Sequence, residues 1–215
     1  MKIAVVGAGA IGGFVGAKLA LAGEDVTFMV RGANLDAIRA SGFRLVMHDG
    51  TEQVARDVKA SNDYAATGAQ DVVILATKAH QLDAVAESVP KLLGPATSVV
   101  TMQNGVPYWY FHRHGGPLAG TRVRSVDPTG VIGENIPAER VIGCVVYPAT
   151  ELVAPGQRAA SASRRRRADG TANCRSTSPG ACVRAAARWT STSAVRRPPA
   201  ASKTACARLK RTIGS

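Results

Sequence analysis

Residues 2–13, KIAVVGAGAIGG, constrain the fold more tightly than any other stretch of this chain. The run KIAVV is short, β-branched and apolar, the pattern of a strand buried on both faces of a parallel sheet. It ends in Gly7-Ala8-Gly9-Ala10-Ile11-Gly12, a G-x-G-x-x-G sequence. Residues 10–22 then read as a helix, because Ile11, Phe14, Val15, Leu19 and Ala22 recur at helical spacing and Gly23 stops the pattern. In that setting each glycine has a physical role. Gly7 permits the tight turn, Gly9 lets the backbone approach a pyrophosphate with no Cβ in the way, and Gly12 allows the helix to pack closely on the strand. Phosphates would rest on the free N–H groups and positive dipole end of the helix. Glycines alone could serve a plain turn. A strand before them, a helix opening on them and a second strand after it point to dinucleotide binding.

That second strand covers residues 25–30 (DVTFMV), with Asn34 as an N-cap for a helix over residues 35–40 that Gly42 closes. The alternation of strand and helix predicts right-handed βαβ units and a parallel sheet. Beyond it, residues 43–47 read as a strand, and a strand pair is expected within residues 53–59. Residues 71–76 (DVVILA) form another buried strand, residues 81–93 a helix shortened or kinked by Pro90, and residues 98–102 the next strand. A Gly- and Pro-rich excursion over residues 105–140 precedes a strand at 141–147.

The end of the second strand discriminates between cofactors. An NAD site usually places Asp or Glu there to accept hydrogen bonds from the ribose 2′-hydroxyl, whereas this chain has Arg31, whose forked guanidinium suits a 2′-phosphate. NADP(H) is therefore preferred. Lys78, just past the strand at 71–76, and Asn104, past the strand at 98–102, stand at the carboxyl edge where open parallel sheets bind ligands. Both are expected to face the crevice, Lys78 as a cation and Asn104 as a two-way hydrogen-bonder. His112 and His114 have no third ligand at convincing spacing, so no metal is assigned. The aromatic cluster from Tyr108 to Phe111 reads as local packing or part of a loop over the substrate.

The formal net charge of +12 suggests a polyanionic partner until it is divided along the chain. Residues 1–157 hold 13 Lys+Arg against 14 Asp+Glu; residues 158–215 hold 14 against one, Asp169. The charge belongs to the second segment alone. There the large apolar residues are only Val183, Trp189, Val195, Leu209 and Ile213, too few to offset the entropy of ordering so long a segment, and a disordered tail is expected. Cys144, Cys174, Cys182 and Cys206 match no disulfide framework or zinc spacing. The N-terminal apolar run is too short and glycine-rich for a signal peptide or membrane span, so the chain reads as cytoplasmic.

The motifs together resemble the 2-dehydropantoate 2-reductases (ketopantoate reductases): KIAVVGAGAIGG, Arg31 in FMVRG, LDAIRASG, ILATKAHQ around Lys78 and TMQNGV around Asn104, over roughly residues 1–157. The resemblance implies a Rossmann-type domain binding NADPH, with Gly7, Ala8, Gly9, Ala10, Ile11 and Gly12 on the pyrophosphate and Arg31 on the 2′-phosphate. Lys78 and Asn104 would lie near nicotinamide and substrate, and the backbone of Ala149 would touch the cofactor. The implied reaction is hydride transfer to the ketone of 2-dehydropantoate, a 2-keto acid, giving pantoate for pantothenate synthesis. The family's proton-donating lysine belongs to a helical C-terminal domain. Lys203 and Lys210 sit in SKTACARLKRT, which does not match it, so no catalytic residue is assigned. Two alternatives remain: a non-catalytic NADP-binding module, or a reductase of another 2-keto acid. For the basic tail, a reading-frame shift near Gln157 in GC-rich DNA is preferred over a nucleic-acid-binding arm, because the break falls where the family's next strand should begin.

Overall fold

The computed structural model of the chain describes residues 1–147 and 149–160. Strand β1 (Lys2–Val6) runs through the middle of a parallel sheet and leads into helix α1 (Ala10–Leu21), which returns the chain to β2 (Asp25–Met29) at its side. Helix α2 (Ala33–Ser41) follows, then β3 (Phe43–Val46), β4 (Glu52–Ala55) and β5 (Lys59–Ser61), the last of which adds to the edge beyond β2. A short helix α3 (Tyr64–Thr67) precedes β6 (Gln70–Leu75), which crosses back to pair with the other side of β1. β7 (Leu93–Thr101) and β8 (Val141–Gly143) extend that side, giving the order β5-β2-β1-β6-β7-β8 with every pairing parallel. The chain direction across the sheet reverses between β1 and β6. A crevice is expected at the carboxyl ends of those two strands.

The expected strands are present, with β8 shorter than anticipated. The helix expected over residues 81–93 is not continuous. It is a 3-10 turn (Ala79–Gln81), a one-turn helix α4 (Asp83–Ala86) and a second 3-10 turn (Val89–Leu92) that begins at the Pro90 step. Proline's missing N–H and fixed φ end the helical ladder there. The pair expected within 53–59 is not formed: β4 ends at Ala55, β5 begins at Lys59, and the two strands serve different sheets. β4 pairs with β3, and β3 pairs in parallel with β10 (Gln157–Ala160), which itself pairs antiparallel with β9 (Thr150–Ala154). Residues 158–160, assigned from composition to the tail, thus complete a strand. The expectation of disorder over 161–215 lies outside the described residues.

Helix α1 is clamped between the two sheets, which explains its glycines. A Cβ on Gly16 would stand 2.5 Å from the Phe28 ring of the main sheet, and one on Gly13 would stand 2.3 Å from Phe43 of the second. The buried positions are Gly12, Gly13, Gly16, Ala17 and Leu19, while Phe14 and Val15 are only partly covered. The face inferred from large apolar residues is therefore secondary. A helix packed on two sides needs small residues at both contacts rather than one apolar stripe. Phe28 and Phe43 stack at 4.9 Å, joining the sheets past the helix.

The opposite face of the main sheet is covered by Leu82, Ala86, Val89, Leu92, Tyr108, Ile132 and Ile136 over Val6, Val73, Leu75 and Val99. Alternation along β1 sends Ile3 and Val5 to one core and Ala4 and Val6 to the other. Within the excursion, helix α5 (Val131–Asn135) is held by the buried Asp127, whose carboxylate accepts N–H bonds from Gly130, Ile132 and Gly133. The aromatics pack locally: Tyr110 and Phe111 meet edge to face at 5.0 Å, and the buried Tyr108 donates its hydroxyl to the Ile136 carbonyl.

Candidate cofactor site

The backbone ladder continues past the strand ends at the carboxyl edge. Gly7 N–H donates to Met29 O, Ala76 N–H to Val6 O and Met102 N–H to Leu75 O, so the loops after β1, β6 and β7 leave the sheet side by side. They enclose a cleft of about 460 Å³ lined by the Gly7–Ile11 loop, the 76–81 segment and residues 102–104.

The glycine loop is shaped for an anion. Gly7 has φ +92°, a left-handed conformation that an L side chain rarely adopts, and a Cβ there would also press on Thr77 at 2.9 Å. A Cβ on Gly12 would stand 2.0 Å from the Gly7 carbonyl oxygen and 2.7 Å from the Ala76 methyl, so helix and loop touch backbone to backbone. Gly9 differs: a Cβ there meets nothing within 4 Å. It caps α1 in an extended conformation with no side-chain cap, and no acidic residue occupies the first turn. The first N–H groups of α1 are thus left without a protein side-chain acceptor at the positive end of the helix dipole, where Gly9, Ala10 and Ile11 line the cleft. In the cleft wall, the Thr77 hydroxyl is buried without a hydrogen-bond partner. These features fit a pyrophosphate: an uncapped helix start, a loop whose central residue leaves room, and an orphaned polar atom beside it.

The structure distributes the other predicted residues unevenly. Lys78 is exposed at the cleft, and its ammonium makes no hydrogen bond or ion pair among the described residues. Asn104 lines the same cleft, but both ends of its amide already tie the loop to Val146: Nδ2 donates to the Val146 carbonyl at 3.1 Å and Oδ1 accepts from the Val146 N–H at 3.0 Å. It fastens the loop after β7 to the segment after β8. Gln103 braces the floor by donating to Thr77 O. Arg31 lies two residues beyond Met29, the partner of Val6, on the same edge but outside the cleft lining, exposed and unpaired among the described residues. It is near enough to Tyr64 to oppose the upward pull of burial on that phenol's pKa. Ala149 is exposed just before β9 and does not line the cleft. Asn34 is inside α2 rather than its cap, which is Gly32 at φ +58°. Its Oδ1 accepts from Gly156 N–H instead. Two residues here were missed by sequence reasoning. Thr77 could have been found from its place at the end of a buried strand. Arg158 left no local signal, since it opens a segment dominated by arginines.

Among the described residues no group of three His, Cys, Asp or Glu side chains is placed to hold a metal, and no helix is long and apolar enough to cross a membrane.

Comparison with known proteins agrees with this geometry. The profile of the family described as Ketopantoate reductase PanE/ApbA matches residues 3–109. A 2-dehydropantoate 2-reductase from Mesorhizobium japonicum is 56% identical over 157 residues, which cover 73% of this chain and 48% of that protein. The crystal structure of a Ralstonia solanacearum protein described as a ketopantoate reductase superposes with a TM-score of 0.71 at 47% identity, covering 76% of this chain and 50% of its own. A PanE/ApbA family ketopantoate reductase from Ralstonia eutropha gives a TM-score of 0.58 at 31% identity over 74% of this chain and 46% of that one. The chain therefore spans about half the length of these relatives.

Proposed function

This chain belongs to the ketopantoate reductase family, and we propose that residues 1–160 are its NADPH-binding half, serving reduction of 2-dehydropantoate to pantoate. The observation that carries the proposal is the uncapped start of α1, where Gly9 leaves the first-turn amides open to the cleft at the β1/β6 reversal. The loop from Gly7 to Gly12 would hold the pyrophosphate through backbone N–H groups, with Thr77 beside it. Arg31, exposed and unpaired among the described residues on the same edge, would hold the 2′-phosphate by paired charge-assisted bonds and so favour NADPH over NADH. Lys78 would present its ammonium to the cleft mouth, where it favours an anionic 2-keto acid, while Asn104 keeps the floor closed by its bonds to Val146. The backbone of Ala149 is the remaining cofactor contact proposed.

Bound NADPH supplies the hydride. As it reaches the carbonyl carbon, the ketone oxygen needs a proton from a positioned acid. No side chain at this cleft is assigned that role. The composition break expected near Gln157 falls after β10, since Gln157–Ala160 complete that strand; beyond it a shift of reading frame is the reading, tested by translating the DNA that follows in the other two frames for a helical domain with a lysine and asparagine motif.

Fluorescence titration with NADPH and NADH, followed by NADPH oxidation in the presence of 2-dehydropantoate, tests the reading. NADPH is expected to bind at least ~10-fold more tightly than NADH. Equal affinities, or no binding, would overturn it. Turnover would overturn only the alternative of a non-catalytic NADP-binding module.

A further inference from the structure

Arg158 is the largest fully buried side chain of the described residues, with 0% of its surface exposed, and no carboxylate pairs with it among those residues. It reaches from β10 under α1, its Cζ 5.4 Å from the centre of the Phe43 ring. Every hydrogen-bond partner it has is an uncharged oxygen. Nε donates to Gly9 O at 3.0 Å and Nη2 to Ala8 O, with Asn34 Oδ1 at 3.5 Å; Nη1 donates to Ala154 O at 2.9 Å and Gln157 O at 2.7 Å. Three of the four elements it joins belong to the second sheet, its turn or α2. The fourth is the glycine loop.

Two physical consequences follow. At a helix start that receives an anion, the loop's N–H groups must face the ligand and its carbonyls must face away, into protein, where each needs a donor. The Arg158 fork supplies the donor to Ala8 O from behind and a second donor to Gly9 O, which also accepts the Gly13 N–H of α1. A buried guanidinium without a counter-ion also carries an uncompensated desolvation cost, which the nearest anion would relieve. Burial lowers its pKa to about 10, so it remains a cation at neutral pH.

We propose that Arg158 is a positioning residue for the pyrophosphate site, fixing the Ala8 and Gly9 carbonyls so that the loop amides face the cofactor and placing a buried positive charge behind them. The proposal rests on the NADPH reading above. It assigns to the start of the arginine-rich segment a role in the cofactor site that charge composition conceals.

The test uses the full chain and two probes, NADPH, which carries a pyrophosphate, and adenosine 2′-monophosphate, which does not. Arg158→Gln is expected to weaken NADPH at least ~10-fold while leaving the 2′-monophosphate within about twofold, with Arg158→Lys recovering part of the loss. Equal weakening of both probes would assign Arg158 a purely structural role and overturn the proposal, as would unchanged NADPH affinity. Should Arg158→Gln not fold, the unmodified chain decides. In a ¹⁵N-labelled sample the Arg158 Nε–H resonance is expected to shift on adding NADPH or inorganic pyrophosphate and to stay in place with the 2′-monophosphate. A resonance indifferent to NADPH overturns the proposal. If the unmodified chain fails to bind NADPH, the functional reading itself falls; binding with no Arg158 response refutes this inference alone.

Discussion

Substituting Gly9 and Gly12 separately distinguishes a phosphate cradle from a turn that only packs. Gly9 has φ −67° and ψ −167°, which alanine adopts without strain, and the added methyl would touch nothing within 4 Å. Alanine is a poorer N-cap than glycine by about 0.5–1 kcal/mol, and the stiffer unfolded chain returns roughly half of that. The net cost to folding is about 0.5 kcal/mol, or a thermal midpoint about 1–2 °C lower for a domain of this size. Yet the methyl points into the space left for the anion. Holding a phosphate off one or two loop amides forfeits charge-assisted bonds of about 1.5–3 kcal/mol each, a loss of at least ~10-fold in NADPH affinity. Gly12→Ala should behave in the opposite manner. Its Cβ would stand 2.0 Å from the Gly7 oxygen and 2.7 Å from the Ala76 methyl, so backbone must move and the fold loses about 1–3 kcal/mol or more before any ligand is added. Thermal unfolding of the free proteins and fluorescence titration with NADPH read the two effects independently. Gly9→Ala with NADPH affinity within twofold of the parent, or with a midpoint as low as that of Gly12→Ala, would refute the reasoning.

Three further outcomes are expected. Arg31→Ala should weaken NADPH ~10-fold and leave NADH within about twofold, with the difference shrinking as salt is raised because the guanidinium is exposed; equal loss for both cofactors would place the 2′-phosphate elsewhere. Asp127→Ala strips acceptors from three N–H groups at the start of α5 and should lower unfolding free energy by about 3 kcal/mol in a urea titration, a change under 1 kcal/mol showing that water replaces the carboxylate. Burial, with help from Asp127 and Glu139, raises the Tyr108 phenol above its ordinary 10.0, so the fold keeps a proton that the unfolded chain releases. The stability this confers is full below pH 10 and lost as pH rises beyond it. Tyr108→Phe should cost about 1 kcal/mol at neutral pH through its bond to Ile136 O. It should also flatten the alkaline decline in thermal midpoint. Parallel pH profiles would contradict the assignment.

What could be read ahead of the structure follows the range of the interactions involved. The β1-loop-α1-β2 unit is legible because its signals are local: a β-branched apolar run along β1, three glycines and a stop at Gly23. The Gln81 region misled because apolar spacing is helical there while Pro90 breaks the backbone ladder that spacing presupposes. Two strands of the second sheet, β3 and β4, were legible, but their assembly with β9 and β10 was not. The sheet's central pairing joins Arg44 to Gln157, and no local pattern encodes a partner more than a hundred residues away. The same distance hides its effect on α1, whose glycines at 13 and 16 make sense only with Phe43 on one side and Phe28 on the other. Asn104 shows a related limit: residue type and strand-end position put it at the cleft, but its amide is committed to Val146, which the sequence does not announce. Arg158 is the sharpest case. Counting charges by segment divides a near-neutral stretch from a basic one, and in doing so averages a buried arginine into a class of residues defined by exposure. Burial is set by the strand on which a residue falls and by the carbonyls that await it. The arginine under the glycine loop therefore has to be found in three dimensions.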